Sequence, residues 1–118
     1  MPRNIGKKRC VAGIDIAEVS RFRALCSKRK RHLLENLFSA RELAYCFAFA
    51  DPAPHLAGTF AAKEAVAKAL GTERFPVMAL EICRAKNGAP EVWSQGKKLS
   101  VSVSITHAAS FAAAIAVA

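Results

Sequence analysis

Between about residue 17 and residue 70 the apolar positions recur at helical spacing, and beyond Gly71 they alternate or run in short blocks. Val19, Phe22, Leu25 and Cys26 fall on one side of a helix from Ala17 to about Leu25. Arg21, Lys28 and Arg31 would share its outer face if the helix continued. Ser39-Ala-Arg-Glu42 has the spacing of a capping box, which predicts a second helix from there to about Phe49. Asp51 is placed to cap a third, with Pro52 in its first position, where a missing N–H costs little. That helix carries Phe60-Ala-Ala-Lys63-Glu64-Ala-Val-Ala-Lys68-Ala-Leu and ends near Leu70, with Gly71 free to take positive φ.

Cys10-Val-Ala-Gly-Ile-Asp15, ahead of the helices, reads as a short strand ending in a carboxylate. After Gly71, the stretches Ala79 to Ala85, Glu91 to Ser94, Leu99 to Thr106 and Phe111 to Val117 read as strands, with Asn87-Gly88 as a hairpin turn. Val101, Val103 and Ile105 alternate with serines and Thr106, giving one apolar and one hydroxyl-bearing face. The stretch Ala112 to Val117 does not alternate, which predicts a central strand or packing against another subunit. One strand, three helices and a run of strands predict a single α+β domain over 10–118, its helices packed on a small, mostly antiparallel sheet. Residues 1–9 form a short basic lead.

Composition narrows the class. The chain has 118 residues, 53% hydrophobic and 23% charged, a globular balance with enough length for a real core. No apolar run approaches the ~20 residues that span a bilayer, and the basic N-terminus lacks the apolar stretch of a signal peptide, so the expected compartment is the cytoplasm. Four cysteines without a C-x-x-C pair are expected to be reduced thiols rather than metal ligands or disulfides. The charge says more: 18 basic against 9 acidic residues, net +9, predicts an acidic partner, whether nucleic acid, acidic protein or phosphate-rich small molecule.

Of the nine carboxylates, Asp15 and Glu64 stand in apolar settings, where each needs a cation. A lysine or arginine is one answer, and a hard divalent ion is the other. Mg²⁺ takes one or two protein carboxylates plus water and substrate phosphates. Asp15 and Glu64 are that kind of pair, with Lys68 one turn beyond Glu64 to meet a phosphate oxygen.

Four blocks then occur in order: Gly13-Ile-Asp15-Ile-Ala-Glu-Val-Ser-Arg21-Phe22, Leu56-Ala-Gly-Thr-Phe60 running into Ala61 through Thr72, Asn87-Gly88-Ala-Pro90, and Val103-Ser104-Ile-Thr106-His107. Together they resemble the holo-acyl-carrier-protein synthase family, the small 4′-phosphopantetheinyl transferases, over 11–117. The resemblance implies that family's fold and a Mg²⁺-dependent enzyme, with Mn²⁺ as a possible substitute, that moves the 4′-phosphopantetheine arm of coenzyme A to a serine of apo acyl carrier protein. Release of 3′,5′-ADP and a role in fatty acid biosynthesis are implied with it. Asp15 and Glu64 would hold the metal, and Lys68 would neutralise phosphate charge. Lys63 and His107 would lie near the coenzyme A phosphates or nucleotide, and Glu64 or a water on the metal would take the serine proton. A homotrimer with active sites between subunits is also implied. The acidic partner becomes the carrier protein, with Arg21, Lys28 and Arg31 as its docking face. His32 and His55 are read as surface residues.

Two departures stand out. The family often has arginine where this chain has Thr59, and Lys63 or Arg74 is the expected replacement cation. Family members often continue with glycine after Gly71-Thr72, where this chain has Glu73-Arg74, which leaves that loop's conformation open. Two other functions remain in play, a basic nucleic-acid-binding module and a catalytically silent relative. The first leaves Asp15 and Glu64 unexplained and has few aromatics for base stacking.

Overall fold

A computed structural model describes residues 11–118, so the basic lead and Cys10 lie outside the described residues. Three strands, β1 (Ala12–Glu18), β5 (Ser102–His107) and β6 (Phe111–Val117), form one antiparallel sheet in the order β1-β6-β5. A second antiparallel sheet contains β2 (Glu81–Arg84), β3 (Pro90–Ser94) and β4 (Lys97–Lys98) in sequence order. The expected α+β architecture is present, but with two small sheets in place of one. The long predicted strand from Leu99 begins only at Ser102, because Gln95 and Gly96 turn the chain into a second hairpin and leave β4 ahead of it.

Helix α3 (Ala53–Leu70) lies across the first sheet and is buried along most of its length. Its contact with the sheet is made of small residues: Gly13 and Ala17 from β1, Ala112, Ala114 and Ala116 from β6, and alanines of the helix. Gly13 is required by this closeness, since a Cβ there would stand 2.0 Å from the Ala65 carbonyl oxygen. Strand β6 is central, as predicted. It does alternate, with alanines toward the helix and Phe111, Ile115 and Val117 outward, a pattern hidden in sequence because both sets are apolar.

Helix α1 (Val19–Leu25), a 3-10 segment (Arg31–Asn36) and α2 (Ala40–Phe47) cover other parts of α3. Phe22, Phe38 and Phe60 meet there with ring centroids 5.4 to 6.5 Å apart. The capping box forms, with Ser39 Oγ accepting from Glu42 N and Glu42 Oε1 from Ser39 N. Asp51 Oδ1 accepts from Ala53 N, while Pro52 takes the cap position rather than the first helical one. The helix ends at Gly71, whose φ is 101°. The following loop closes as Phe75 N donates to Gly71 O.

Two boundary differences bear on function. Strand β1 runs three residues past Asp15, so the carboxylate sits within a paired strand, opposite Ala114, and not at its end. Helix α1 stops at Leu25, so Arg21, Lys28 and Arg31 fall on a helix, a turn and a 3-10 segment and share no continuous helical face.

Candidate active site

Asp15 and Lys68 meet where β1 crosses α3. On β1, Gly13, Asp15 and Ala17 point toward the helix, while Ile14 and Ile16 point away. Two residues after the glycine contact, Asp15 emerges beside the helix with its side chain 19% exposed. Lys68 Nζ donates to Asp15 Oδ1 at 3.1 Å and to the Ile14 carbonyl oxygen at 3.0 Å. Glu64 is one turn back on α3, half-buried, and makes no ion pair among the described residues. Lys68 therefore answers β1 rather than its i−4 neighbour on the helix.

Asp15 and the Ile14 carbonyl thus present hard oxygen donors to one ammonium ion. Among the described residues, no group of three or more His, Cys, Asp or Glu side chains gathers to enclose a metal. Two carboxylates still fit Mg²⁺, which keeps waters and takes substrate phosphate oxygens. The ammonium on Asp15 marks the same spot as one that favours a cation.

Lys63 departs from the expectation of a phosphate ligand. Its Nζ is 2.9 Å from Glu42 Oε1 and 2.9 Å from the Leu37 carbonyl oxygen, and both side chains are essentially inaccessible. Glu42 Oε2 accepts from Ile82 N at 2.7 Å, so the pair joins α3 to α2, the 3-10 segment and β2. Sequence reading found Glu42 as a cap and missed its second role. Alanine context gave no signal, since Lys68, set between Ala67 and Ala69, is half exposed while Lys63, beside Glu64, is the buried one.

His107 ends β5, on the opposite edge of the sheet from β1. It lines a cavity of about 130 Å³ with Tyr45, His55 and Arg84. The His107 and His55 rings pack edge to face at 5.0 Å, and His55 stacks on Phe49 at 3.6 Å. Burial pushes the His55 pKa down, aided by His107 and Arg84 and opposed by Asp51. His55 is thus no simple surface residue. Arg84 stands 4.4 Å over the Tyr45 ring and is the cation the fold brings to this cavity. Thr59 is buried and donates to the His55 carbonyl oxygen, while Arg74 lies in the loop after α3 against Phe75. Lys63 and Arg74, the two expected substitutes for an arginine at position 59, both lie elsewhere.

Arg21, Lys28 and Arg31 are exposed. The Arg21 guanidinium lies over Phe22 and Phe60, and that of Arg31 stands 3.8 Å over Phe47. Arg31 borders a groove of about 650 Å³ whose walls include Phe38, Leu43 and Phe47.

Comparison with known proteins points one way. The model of the 4′-phosphopantetheinyl transferase superfamily matches residues 12–117. A holo-[acyl-carrier-protein] synthase of Chlorobaculum parvum is 39% identical over 100 residues, covering 80% of this chain and 86% of the relative. One of Thermodesulfovibrio yellowstonii is 36% identical over 106 residues, covering 89% and 94%. Among solved structures, the Helicobacter pylori holo-[acyl-carrier-protein] synthase in complex with coenzyme A has a TM-score of 0.76 and 31% identity, over 91% of this chain and 99% of that one.

Proposed function

Since the chain belongs to the 4′-phosphopantetheinyl transferase superfamily, and is an enzyme of that class, we propose that it transfers the 4′-phosphopantetheine arm of coenzyme A to a serine of apo acyl carrier protein, releasing 3′,5′-ADP. The observation that supports this reading is the crossing of β1 and α3, where Lys68 bonds to Asp15 and Glu64 lies one turn back along the helix.

Asp15 and Glu64 would hold Mg²⁺, or Mn²⁺ in its place, and the ion when bound supplies positive charge against the diphosphate. The serine oxygen forms a bond to the pantetheine-side phosphorus as the bond to the bridging oxygen breaks. The leaving 3′,5′-ADP departs with the electron pair. Lys68, half exposed on a flexible stem, meets the negative charge that develops on the phosphate oxygens. Glu64, or a water beside it, would accept the serine proton.

His107 and Asp15 occupy opposite edge strands of one sheet, with β6 between them. A second subunit would complete the site by bringing its His107 edge to this chain's Asp15 edge, and a homotrimer satisfies that need. The sheet face away from α3 supports such packing: Ile14 and Ile16 are 67% and 65% exposed, and Phe111 and Ile115 lie beside them on β6. Arg31 beside its apolar groove, with Arg21 and Lys28, would receive the acidic carrier protein. No helix of the described residues is long and apolar enough to cross a membrane.

Incubation with coenzyme A, Mg²⁺ and an apo acyl carrier protein tests the proposal. The carrier should gain the mass of one phosphopantetheine arm, and Asp15→Asn and Glu64→Gln should each abolish the gain. A carrier of unchanged mass under these conditions overturns the reading, and tight RNA or duplex binding in its place would favour a nucleic-acid module.

A further inference from the structure

We propose that Lys68 is a placeholder cation: its ammonium occupies the metal position on Asp15 until a divalent ion arrives, and is then released toward the substrate. The inference rests on the reading of Asp15 and Glu64 as metal ligands, and concerns what Lys68 does before and after.

The Lys68 ammonium lies on a carboxylate oxygen and a backbone carbonyl oxygen, both on β1, at hydrogen-bond distance. An i, i+4 glutamate–lysine pair along one helix is the ordinary local arrangement, yet Lys68 crosses to the strand and leaves Glu64 without an ion pair among the described residues. Lys68 holds Oδ1 of Asp15, the carboxylate that would also ligate the divalent ion. An ammonium and a divalent ion on one carboxylate repel each other, which favours release of the lysine once the ion binds.

The exchange is inexpensive on the lysine side. With its side chain 52% exposed, Lys68 forms a pair of the kind that contributes little, and its four-carbon stem lets the ammonium swing into water. Charge changes sign in the process. Two carboxylates and one ammonium leave the junction net negative, which resists a diphosphate. Adding a divalent ion makes it net positive and frees an amine with three donors to meet phosphate oxygens. Metal would accordingly precede coenzyme A.

A crystal of the full chain soaked in Mn²⁺, without coenzyme A or carrier protein, gives the direct test through the anomalous signal of the ion. The expected result is Mn²⁺ on Asp15 and Glu64, with Lys68 Nζ beyond hydrogen-bond reach of Asp15. Mn²⁺ on both carboxylates with Lys68 still bonded to Asp15 overturns the placeholder role while sparing the metal site. Mn²⁺ found elsewhere overturns both. In solution, calorimetric titration with Mn²⁺ alone should show Lys68→Met binding the ion about two- to fivefold more tightly than the parent, the fold-change that loss of an exposed competing pair implies. Equal or weaker binding by Lys68→Met contradicts the proposal.

Discussion

Two lysines of α3 answer two carboxylates in opposite ways. Lys63 and Lys68 are about 140° apart around the helix, from 3.6 residues per turn. The first is sealed where α3, α2 and β2 meet, with both carboxylate oxygens of Glu42 engaged by Lys63, Ser39 or Ile82. The second stands half in water with one carboxylate oxygen and one carbonyl. Burial separates their roles. A desolvated pair is costly to break and keeps its geometry, whereas an exposed pair is weak enough to trade partners during a reaction.

The comparison can be broken most forcefully at Lys63. Lys63→Met should destabilise the fold by about 3–5 kcal/mol, the loss expected when a buried charge is left alone, read from the urea midpoint. Adding Glu42→Gln should recover part of that, since the stranded charge is removed. Lys68→Met is the contrast: a stability change below about 1 kcal/mol, with turnover down about a hundredfold, as for loss of one group that stabilises transition-state charge. A large stability loss at Lys68, or none at Lys63, would erase the distinction. Charge reversal by Lys28→Glu with Arg31→Glu should raise the apparent KM for carrier protein several-fold and fade with added salt, leaving the KM for coenzyme A alone. Equal effects on both substrates would remove these residues from docking.

The smallest effect concerns His55, in the cavity beyond the other end of α3. Its folded pKa is below the unfolded value because burial disfavours the charged ring, with His107 and Arg84 adding to this. Its contribution to stability is therefore complete above the unfolded pKa of about 6.5 and declines as pH falls through that value toward the folded one. His55→Gln should flatten this limb of a stability–pH profile by a small fraction of the total. An unchanged profile would mean that another group sets it.

How legible this was from sequence follows from range. Features decided within one turn or one hairpin were readable: the Ser39–Glu42 box, the end of α3 at Gly71, the Asn87-Gly88 turn, the run of β6. Asp15, Glu64 and Lys68 were singled out because acids in apolar surroundings need partners. What sequence did not disclose depends on distant chain meeting distant chain. The Glu42–Lys63 contact spans 21 residues and that of Lys68 with Asp15 spans 53. Pattern alone gave Lys63 no reason to face inward and Lys68 outward. The Arg21, Lys28 and Arg31 periodicity assumed a helix that ends at Leu25. Gln95 at φ 50° is an uncommon turn former, which hid the second hairpin.

One missing methyl group sets the spacing of the chemistry. With β1 and α3 held apart by an ordinary side chain at position 13, the acid and amine that depend on that crossing would lose their common reference. Anyone grafting this trio of residues onto another scaffold should begin with a helix and strand able to touch backbone to backbone, and add the charges only once that gap is closed.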